Sequence, residues 1–371
     1  MMKMFKKKER KSDDAIKMPL DSSAYIDVAS LGLVEGVGPD LLPDYRSSGI
    51  SITEFITKWA KLYPLEEEVD VVVKKIDELR KLLWDMPMYK PENHKSSQGR
   101  KWYKLWNVDP VEDIMLNELY WCNDLVLFRY LRSYKYKVQQ SFLMIKKTLA
   151  WRRYKKVETA DPDLIGRSNT NGMVYRKGYD KVGRPFVYFR PKDESDHNRD
   201  NQVMLIFLGL ELSTQTALWS QGNDKVIIII DLNDWSLSYM PTIELIIDTV
   251  RALSEHYTDV MHEIIIIDAP LLMDPLMQMI KAVLDTSTAK KINMKHRGSQ
   301  FEAMMKERMD PSQLEVSMGG ENNTLYDHKL YWKHESEQAR IYRERIEEWV
   351  KLNEPEWIKK HESQTKTGEN E

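Results

Sequence analysis

A cluster of polar side chains closes a long apolar segment of this chain. The segment Asp285–Thr288 carries one carboxylate and three hydroxyls, and Lys290 and Lys291 follow it. Hydroxyls donate hydrogen bonds and ammonium groups supply positive charge. The cluster is therefore typical of a small cationic site for the polar head of a ligand, or of a solvated helix end.

The elements before this cluster are apolar. Residues 264–268 contain four consecutive isoleucines followed by Asp268, and this run predicts a buried strand. A turn with Pro270 and Pro275 follows, and then a helix with a broad methionine-rich face. A buried strand, an apolar helix and a cationic site follow one another here. This order favours the binding of a hydrophobic ligand with a polar head over a catalytic function.

Motifs for nucleotide chemistry and for nucleophilic catalysis are absent from the sequence. It contains no G-x-x-x-x-G-K-[ST], no G-x-G-x-x-G and no G-x-S-x-G. His256, Asp259 and His262 are three residues apart, but they run from a helix end toward a strand and match no usual zinc spacing. We therefore expect no catalytic residue, no metal site and no cofactor.

Composition limits the class of protein. The chain has 371 residues, 42% of them hydrophobic, and a net charge of −3. A nearly neutral chain is not typical of a nucleic-acid binder. Cys122 is the single cysteine, which fits a reducing compartment. The apolar runs fall far below the ~20 residues of a membrane span, and the N-terminus lacks a secretory signal. We expect a cytoplasmic protein.

The N-terminal segment Lys3–Lys11 is strongly basic. Such a charge run is usually a solvated terminus. It could also give a weak attraction to anionic membranes, worth roughly 1 kcal/mol per basic residue near the surface.

The periodicity of apolar residues predicts the order of the elements. Helices are expected at residues 52–63 and 69–84, and a helical block at 111–156. Strands at 186–189, 226–231 and 264–268 then alternate with helices at 202–219 and 242–257. Two continuous β-branched runs joined by a helix predict neighbouring parallel strands that are covered on both faces. The fold class is therefore α/β.

An ordered set of motifs now identifies a family. The set comprises Leu125–Val138 with Trp151-Arg152, Asp180–Pro185, Val226–Asp231, Ile267–Pro270, Leu284-Asp285, Lys291-Ile292 and Gly319-Gly320. In this order and spacing it resembles the CRAL-TRIO lipid-binding family, which includes the yeast-type phosphatidylinositol/phosphatidylcholine transfer proteins. The resemblance covers about residues 117–332.

The resemblance implies a two-lobe fold. A helical N-terminal lobe would span residues 111–160, and a mainly parallel sheet lobe with a gate helix over an apolar pocket would span 161–332. Residues 1–110 would be a partly helical extension, and residues 333–371 a charged helical tail.

The resemblance also implies the positions of the gate and pocket. The gate maps to about residues 274–284. Methionine suits this role because it is flexible and fills irregular volumes. The gate and pocket residues would be Met273, Leu276, Met277, Ile280, Val283, Leu284, Val226, Ile228, Ile265 and Ile267.

Three residues match the family's inositol-phosphate contacts: Thr288, Lys291 and Asp259. The chain departs from the family elsewhere, because Tyr134 replaces an arginine and residues 258–260 read Thr-Asp-Val instead of Pro-Glu-Arg. Val226 and Ile228 stand where some members hold phosphocholine with Ser and Thr, which counts against phosphatidylcholine bound in that way.

The resemblance implies a non-enzymatic, peripherally membrane-associated lipid-binding and lipid-transfer protein with one bound phospholipid, possibly phosphatidylinositol. It would contact membranes transiently and bind no nucleic acid. A protein partner could use the N-terminal region or the C-terminal helix. Two alternatives remain: a carrier or sensor of a sterol, retinoid or tocopherol-like molecule, and a scaffold that regulates a lipid enzyme.

Overall fold

The structure is a computed structural model that describes residues 25–27, 36–91, 108–195 and 198–368. The basic segment Lys3–Lys11 and most of the N-terminal region lie outside the described residues.

Five helices build the first part of the described chain: α1 (Ile52–Leu62), α2 (Val69–Trp84), α3 (Leu116–Trp121), α4 (Asp124–Ser133) and α5 (Val138–Lys155). Side-chain caps fix two of the starts. Ser51 accepts a hydrogen bond from the backbone N–H of Glu54, and Asn123 accepts one from Val126. The helices meet in one apolar core that includes Phe55, Ile76 and Trp357.

A sheet lobe follows, with five strands and six helices. The strands are β1 (Val174–Tyr179), β2 (Pro185–Phe189), β3 (Val226–Asp231), β4 (Met261–Ile267) and β5 (Ile292–Lys295). The helices are α6 (Pro162–Gly166), α7 (Arg199–Thr214), α8 (Ile243–His256), α9 (Asp274–Val283), α10 (Thr286–Lys290) and α11 (Ser299–Arg308). The strand order is β1-β2-β3-β4-β5. Strand β1 is antiparallel to β2, and the remaining pairs are parallel. The mixed α/β fold with a mainly parallel sheet is confirmed.

Strands β1 and β5 were not predicted from the sequence. Strand β1 contains Arg176 and Lys177, which are buried, and this breaks the apolar pattern that marks a strand. Arg176 is tolerated because a Glu335 carboxylate oxygen lies 2.7 Å from its guanidinium. A bulge between Arg176 and Tyr179 includes Gly178 at φ +70°.

Several element boundaries differ from the predictions by a few residues. The helix predicted at 202–219 ends at Thr214, where the hydroxyls of Ser213 and Thr214 donate back to the carbonyls of Gly209 and Glu211. Such side-chain bonds compete with the helical ladder. The strand predicted at 264–268 begins earlier, at Met261.

The last helix, α12 (His328–Gly368), links the two parts of the chain. Its first turns pack on the sheet lobe through Tyr331 and Trp332. Trp357, farther along, belongs to the core of α1–α5. The helices of the predicted extension, helical lobe and tail therefore share one core, and the division of the chain into domains stays a prediction.

Candidate functional site

A cavity of about 270 Å³ lies between one face of the sheet and helices α7, α8 and α9. This is close to the lower end of small-molecule pockets, which hold roughly 300–1,000 Å³. The lining is apolar except for Glu194, Gln202, Thr249 and Thr288. Such a cavity favours hydrocarbon and offers few hydrogen bonds.

The sheet supplies the floor of this cavity. Ile228 and Ile230 of β3 and Ile264 and Ile266 of β4 line it. Alternate residues of a strand point to the same face, which is why these four act together. Further floor residues come from β1 and β2: Val174, Val187 and Phe189.

Four predicted pocket residues lie outside the cavity lining. Ile265 and Ile267 point to the opposite face of the sheet, where they pack in one core with Phe301 and Met305. A strand that is buried on both faces is apolar throughout, so the sequence does not reveal which set of alternate residues faces the ligand. The prediction that Ile265 and Ile267 line the pocket was therefore wrong. The preceding residues, Ile264 and Ile266, line it instead.

Val226 and Val283 also miss the cavity lining. Val226 belongs to the face of Ile228 but lies at the start of β3, packed with Trp151 and Tyr257 in a filled cluster. Val283 is half-buried near the end of α9. Ile228 lines the cavity as expected of a floor residue.

Helix α9 covers the cavity. The predicted gate residues that line it are Met273, Leu276, Met277, Ile280 and Leu284. Within α9 only Leu276 and Met277 are buried, each 6% exposed. Pro275 occupies the first turn, where its missing N–H costs no intrahelical bond. The helix is therefore held to the protein by few side chains.

Sequence reasoning missed part of the cavity wall. Trp235, Tyr239 and Met240 follow β3 and cover one side. Large apolar side chains in a loop are a signal that could have shown this. Glu194 and Gln202 line another part, and the Arg199 guanidinium donates to both, at 3.2 and 2.7 Å. No sequence pattern marked this polar group.

The structure brings together two of the three predicted head-group residues. The Lys291 ammonium lies 3.1 Å from the Asp259 carboxylate. Thr288 lies on α10, and its backbone carbonyl accepts a bond at 3.1 Å from the N–H of Lys291, the residue that follows this helix. Thr288 lines the cavity, whereas Lys291 and Asp259 do not.

Asp259 is the centre of a buried charge cluster. Lys225 lies 2.7 Å and Arg132 lies 2.8 Å from its carboxylate oxygens, and Arg132 also bonds Asp224 at 2.6 Å. Burial alone would raise the pKa of Asp259, but Lys225, Arg132 and Lys291 hold it well below its usual range. Three cations, from Lys225, Arg132 and Lys291, thus contact two carboxylates, Asp224 and Asp259.

Within the described ranges, no helix is long and apolar enough to cross a membrane. Among the same residues, no group of three or more His, Cys, Asp or Glu side chains is arranged to hold a metal ion.

Residues 169–320 match the family model of the CRAL/TRIO domain. This region of the chain is therefore similar to a CRAL/TRIO domain, and the sheet, the residues that line the cavity and α9 all lie within it.

Several relatives share this similarity. The chain is 26% identical over 247 residues to the CRAL-TRIO domain-containing protein C23B6.04c of Schizosaccharomyces pombe, covering 66% of this chain and 24% of the relative. It is 24% identical over 227 residues to the phosphatidylinositol transfer protein PDR17 of Saccharomyces cerevisiae, covering 58% and 62%. It is 28% identical over 213 residues to patellin-6 of Arabidopsis thaliana, covering 53% and 51%. The chain therefore spans less than two thirds of the length of these relatives. The crystal structure of Sfh5 is similar with a TM-score of 0.49 and 12% identity, covering 76% of this chain and 100% of that one.

Proposed function

We propose that this protein binds one lipid and carries it between membranes. The observation that carries the proposal is the apolar cavity enclosed by the isoleucine floor and helix α9. Each methylene removed from water is worth roughly 0.8 kcal/mol, so a lipid does not leave a bilayer for water at a useful rate. A protein cavity replaces the bilayer contacts and removes most of that cost.

Transfer requires that the cavity open, and α9 is the element we assign to this role. It packs mainly through Leu276 and Met277, and the chain leaves it at Leu284 in an extended conformation. Few contacts hold such an element, so it opens at a lower free energy than the sheet. Opening would admit the acyl chains, and closing would exclude water. No covalent step is needed, so we propose a protein that is not an enzyme.

We propose a phosphoinositide as the leading ligand. The relative PDR17 is named a phosphatidylinositol transfer protein, and PDR17 matches more than half of this chain. Thr288 at the cavity wall, with the three cations around Asp259 one turn away, supports an anionic head group at this end.

Membrane contact would occur beside the gate. Leu271 is 84% exposed and Leu272 55% exposed, directly before α9. Adjacent exposed leucines beside the cavity are a candidate contact with a lipid surface. We propose that the protein is cytoplasmic and meets membranes transiently with this corner.

A second candidate function is the carriage of a small apolar molecule such as a sterol, retinoid or tocopherol-like compound. The observation that favours it is the absence of lysine and arginine from the lining among the described residues. The modest cavity volume also fits a compact ligand. In this case Lys291 would only stabilise the buried charge cluster and would not contact the ligand. A scaffold that regulates a lipid enzyme, with a partner bound by the N-terminal region or by α12, is the third hypothesis.

Native mass spectrometry tests the proposal. Delipidated protein is incubated with liposomes made from a mixed lipid extract and then reisolated. We expect a mass increase equal to one phospholipid, with inositol lipids enriched over their share of the extract. Protein recovered without any bound lipid would refute the proposal, and a bound sterol or isoprenoid would favour the second candidate.

A further inference from the structure

A second cavity, of about 100 Å³, lies away from the lipid cavity and shares no lining residue with it. It forms where the single helical turn Tyr45–Ser47, helices α3 and α4, the end of α7 and helix α12 meet. Its lining carries three guanidinium groups, from Arg46, Arg129 and Arg345. We call it the arginine cavity.

Two of these guanidinium groups bond mainly neutral partners. Arg46 donates from Nη2 to the carbonyls of Leu119 and Tyr120, at 3.2 and 2.6 Å. Its nearest carboxylate is Asp44, 3.8 Å from Nη1. Arg345 donates to the backbone carbonyl of Leu42. Carbonyl groups satisfy donors but leave the positive charges in place.

The third guanidinium is buried and poorly paired. Arg129 is only 9% exposed, and its Nε has no hydrogen-bond partner among the described residues. Asp224 lies 3.8 Å away and already bonds Arg132 at 2.6 Å. Gln215, also in the lining, has an unpaired buried Oε1. Unsatisfied buried polar atoms are rare in folded proteins, and a bound water or ion is one explanation for them.

The carboxylates in the lining are Asp44 and Glu211, and both are engaged. Glu211 accepts bonds at 2.6 and 3.3 Å from Arg152, which lies outside the lining. Asp44 accepts a bond at 3.1 Å from the Tyr120 hydroxyl. The cavity therefore keeps an excess of positive charge.

We propose that the arginine cavity binds a phosphate or phosphomonoester group. A tetrahedral oxyanion accepts several hydrogen bonds at once and matches the fork of a guanidinium. The cavity holds roughly three water volumes at ~30 Å³ each, which suits one phosphate group. Rotation of the Gln215 amide would turn its NH₂ toward that anion, since amide orientation is assigned from partners.

Occupancy of this site would also join distant parts of the chain. Arg46 precedes α1, Arg129 lies on α4, and Arg345 lies on α12. An anion bound by all three would hold α12 against the helical core, so the folded state would gain stability with ligand concentration.

Isothermal titration calorimetry of the full chain tests the site. Sodium phosphate and glycerol 3-phosphate are the soluble probes, with sodium chloride at matched ionic strength as the blank. Vesicles with and without phosphatidic acid test whether the phosphate must come from a lipid. The variants are Arg345→Gln, which is half-buried, and Arg129→Gln. Arg340→Gln is the matched control, because Arg340 is exposed on α12 and pairs with Glu337 and Glu344.

We expect Arg345→Gln and Arg129→Gln to weaken binding roughly tenfold to a hundredfold, and Arg340→Gln to leave it unchanged. Binding of the soluble probes, lost in Arg345→Gln, supports a free phosphate compound as ligand. Binding only to phosphatidic acid vesicles, lost in the same variant, supports a lipid head group. No binding of any probe to the wild type, or equal binding by Arg345→Gln, would overturn the proposal. Lipid occupancy of the main cavity should not change in Arg345→Gln, because Arg345 lies outside both that cavity and the Asp259 cluster, so the two proposals fail separately.

Discussion

The ammonium nitrogen of Lys291 lies 3.1 Å from the carboxylate of Asp259, across 32 residues of sequence. Lys225 and Arg132 contact the same carboxylate. Lys291 is thereby fixed one turn from Thr288, which faces the lipid cavity. Asp259 therefore holds three cations together in one buried cluster.

A double substitution tests the head-group proposal. Lys291→Ala with Thr288→Asp removes a cation and places a carboxylate at the cavity wall, where it would repel a phosphate. We expect transfer of phosphatidylinositol between vesicles to fall at least tenfold, since a charged hydrogen bond is worth roughly 1.5–3 kcal/mol. A fluorescent-lipid transfer assay measures this.

The matched control is Lys290→Ala with Ser287→Asp. Both residues are exposed on the same short helix, and neither lines the cavity. This variant has the same change in net charge and should keep its transfer rate. If both double variants transfer the inositol lipid as the wild type does, the head-group assignment is wrong.

A bulky side chain in the cavity should exclude the lipid. Ile280 lines the cavity from α9 and is half-buried, so Ile280→Trp adds a ring to the space that a ligand would occupy. We expect the fraction of lipid-bound protein in native mass spectra to fall several-fold. The neighbouring Gln278 is exposed, and Gln278→Trp should leave occupancy unchanged. Equal occupancy in both variants would contradict a ligand beneath α9.

Charges at the gate corner should weaken membrane contact. Leu271→Asp with Leu272→Asp replaces two exposed leucines, and burial of a leucine is worth roughly 1.5–3 kcal/mol. We expect partitioning onto sedimented vesicles to drop more than tenfold. Leu325 has the same 84% exposure as Leu271, so Leu325→Asp is the control. A similar loss of vesicle binding in the control would show that Leu271 and Leu272 do not form a particular membrane contact.

The pH dependence of stability should report on the charge cluster. Burial lowers the pKa of the Lys225 ammonium from 10.5 to about 8, although Asp259 acts in the opposite direction. Between these two values the unfolded chain binds more protons than the folded one, so stability rises with pH. Below the pKa of Lys225 in the folded state, its contribution to the free energy of unfolding does not change with pH.

Urea unfolding of the wild type and of Lys225→Met at several pH values measures this effect. The wild type should gain stability over the variant by up to about 1.4 kcal/mol per pH unit in that window. The series should stop at about pH 10, because tyrosines of the unfolded chain then lose protons. If the difference in unfolding free energy between the two proteins did not change with pH, the pKa of Lys225 would not be lowered in the folded state.

Much of the fold could be predicted because its elements have clear periods. The stripes of α1 and α2 and the isoleucine runs of β3 and β4 mark helices and strands directly. Strand β1 could not be found in this way, because its buried Arg176 is compensated by Glu335, 159 residues away. Long-range charge pairing leaves no local pattern.

The site was predicted less completely than the fold. Leu276, Met277 and Ile280, which were predicted as gate residues, line the cavity because a helical stripe has a defined face. Ile265 and Ile267 were wrongly assigned to the floor. A strand that is apolar on both faces does not reveal which alternate residues face the cavity. The arginine cavity was not predicted, because its three guanidinium groups come from segments that lie far apart in the sequence.

The most direct test of the central claim is photocrosslinking with a phosphatidylinositol that carries a diazirine near the end of one acyl chain. After loading and irradiation, peptide mass spectrometry locates the crosslinks. We predict crosslinks to the floor at Ile230 and Ile266 and to α9 at Met277. Crosslinks confined to exposed residues, with none in the strands or α9, would contradict a lipid held inside this cavity.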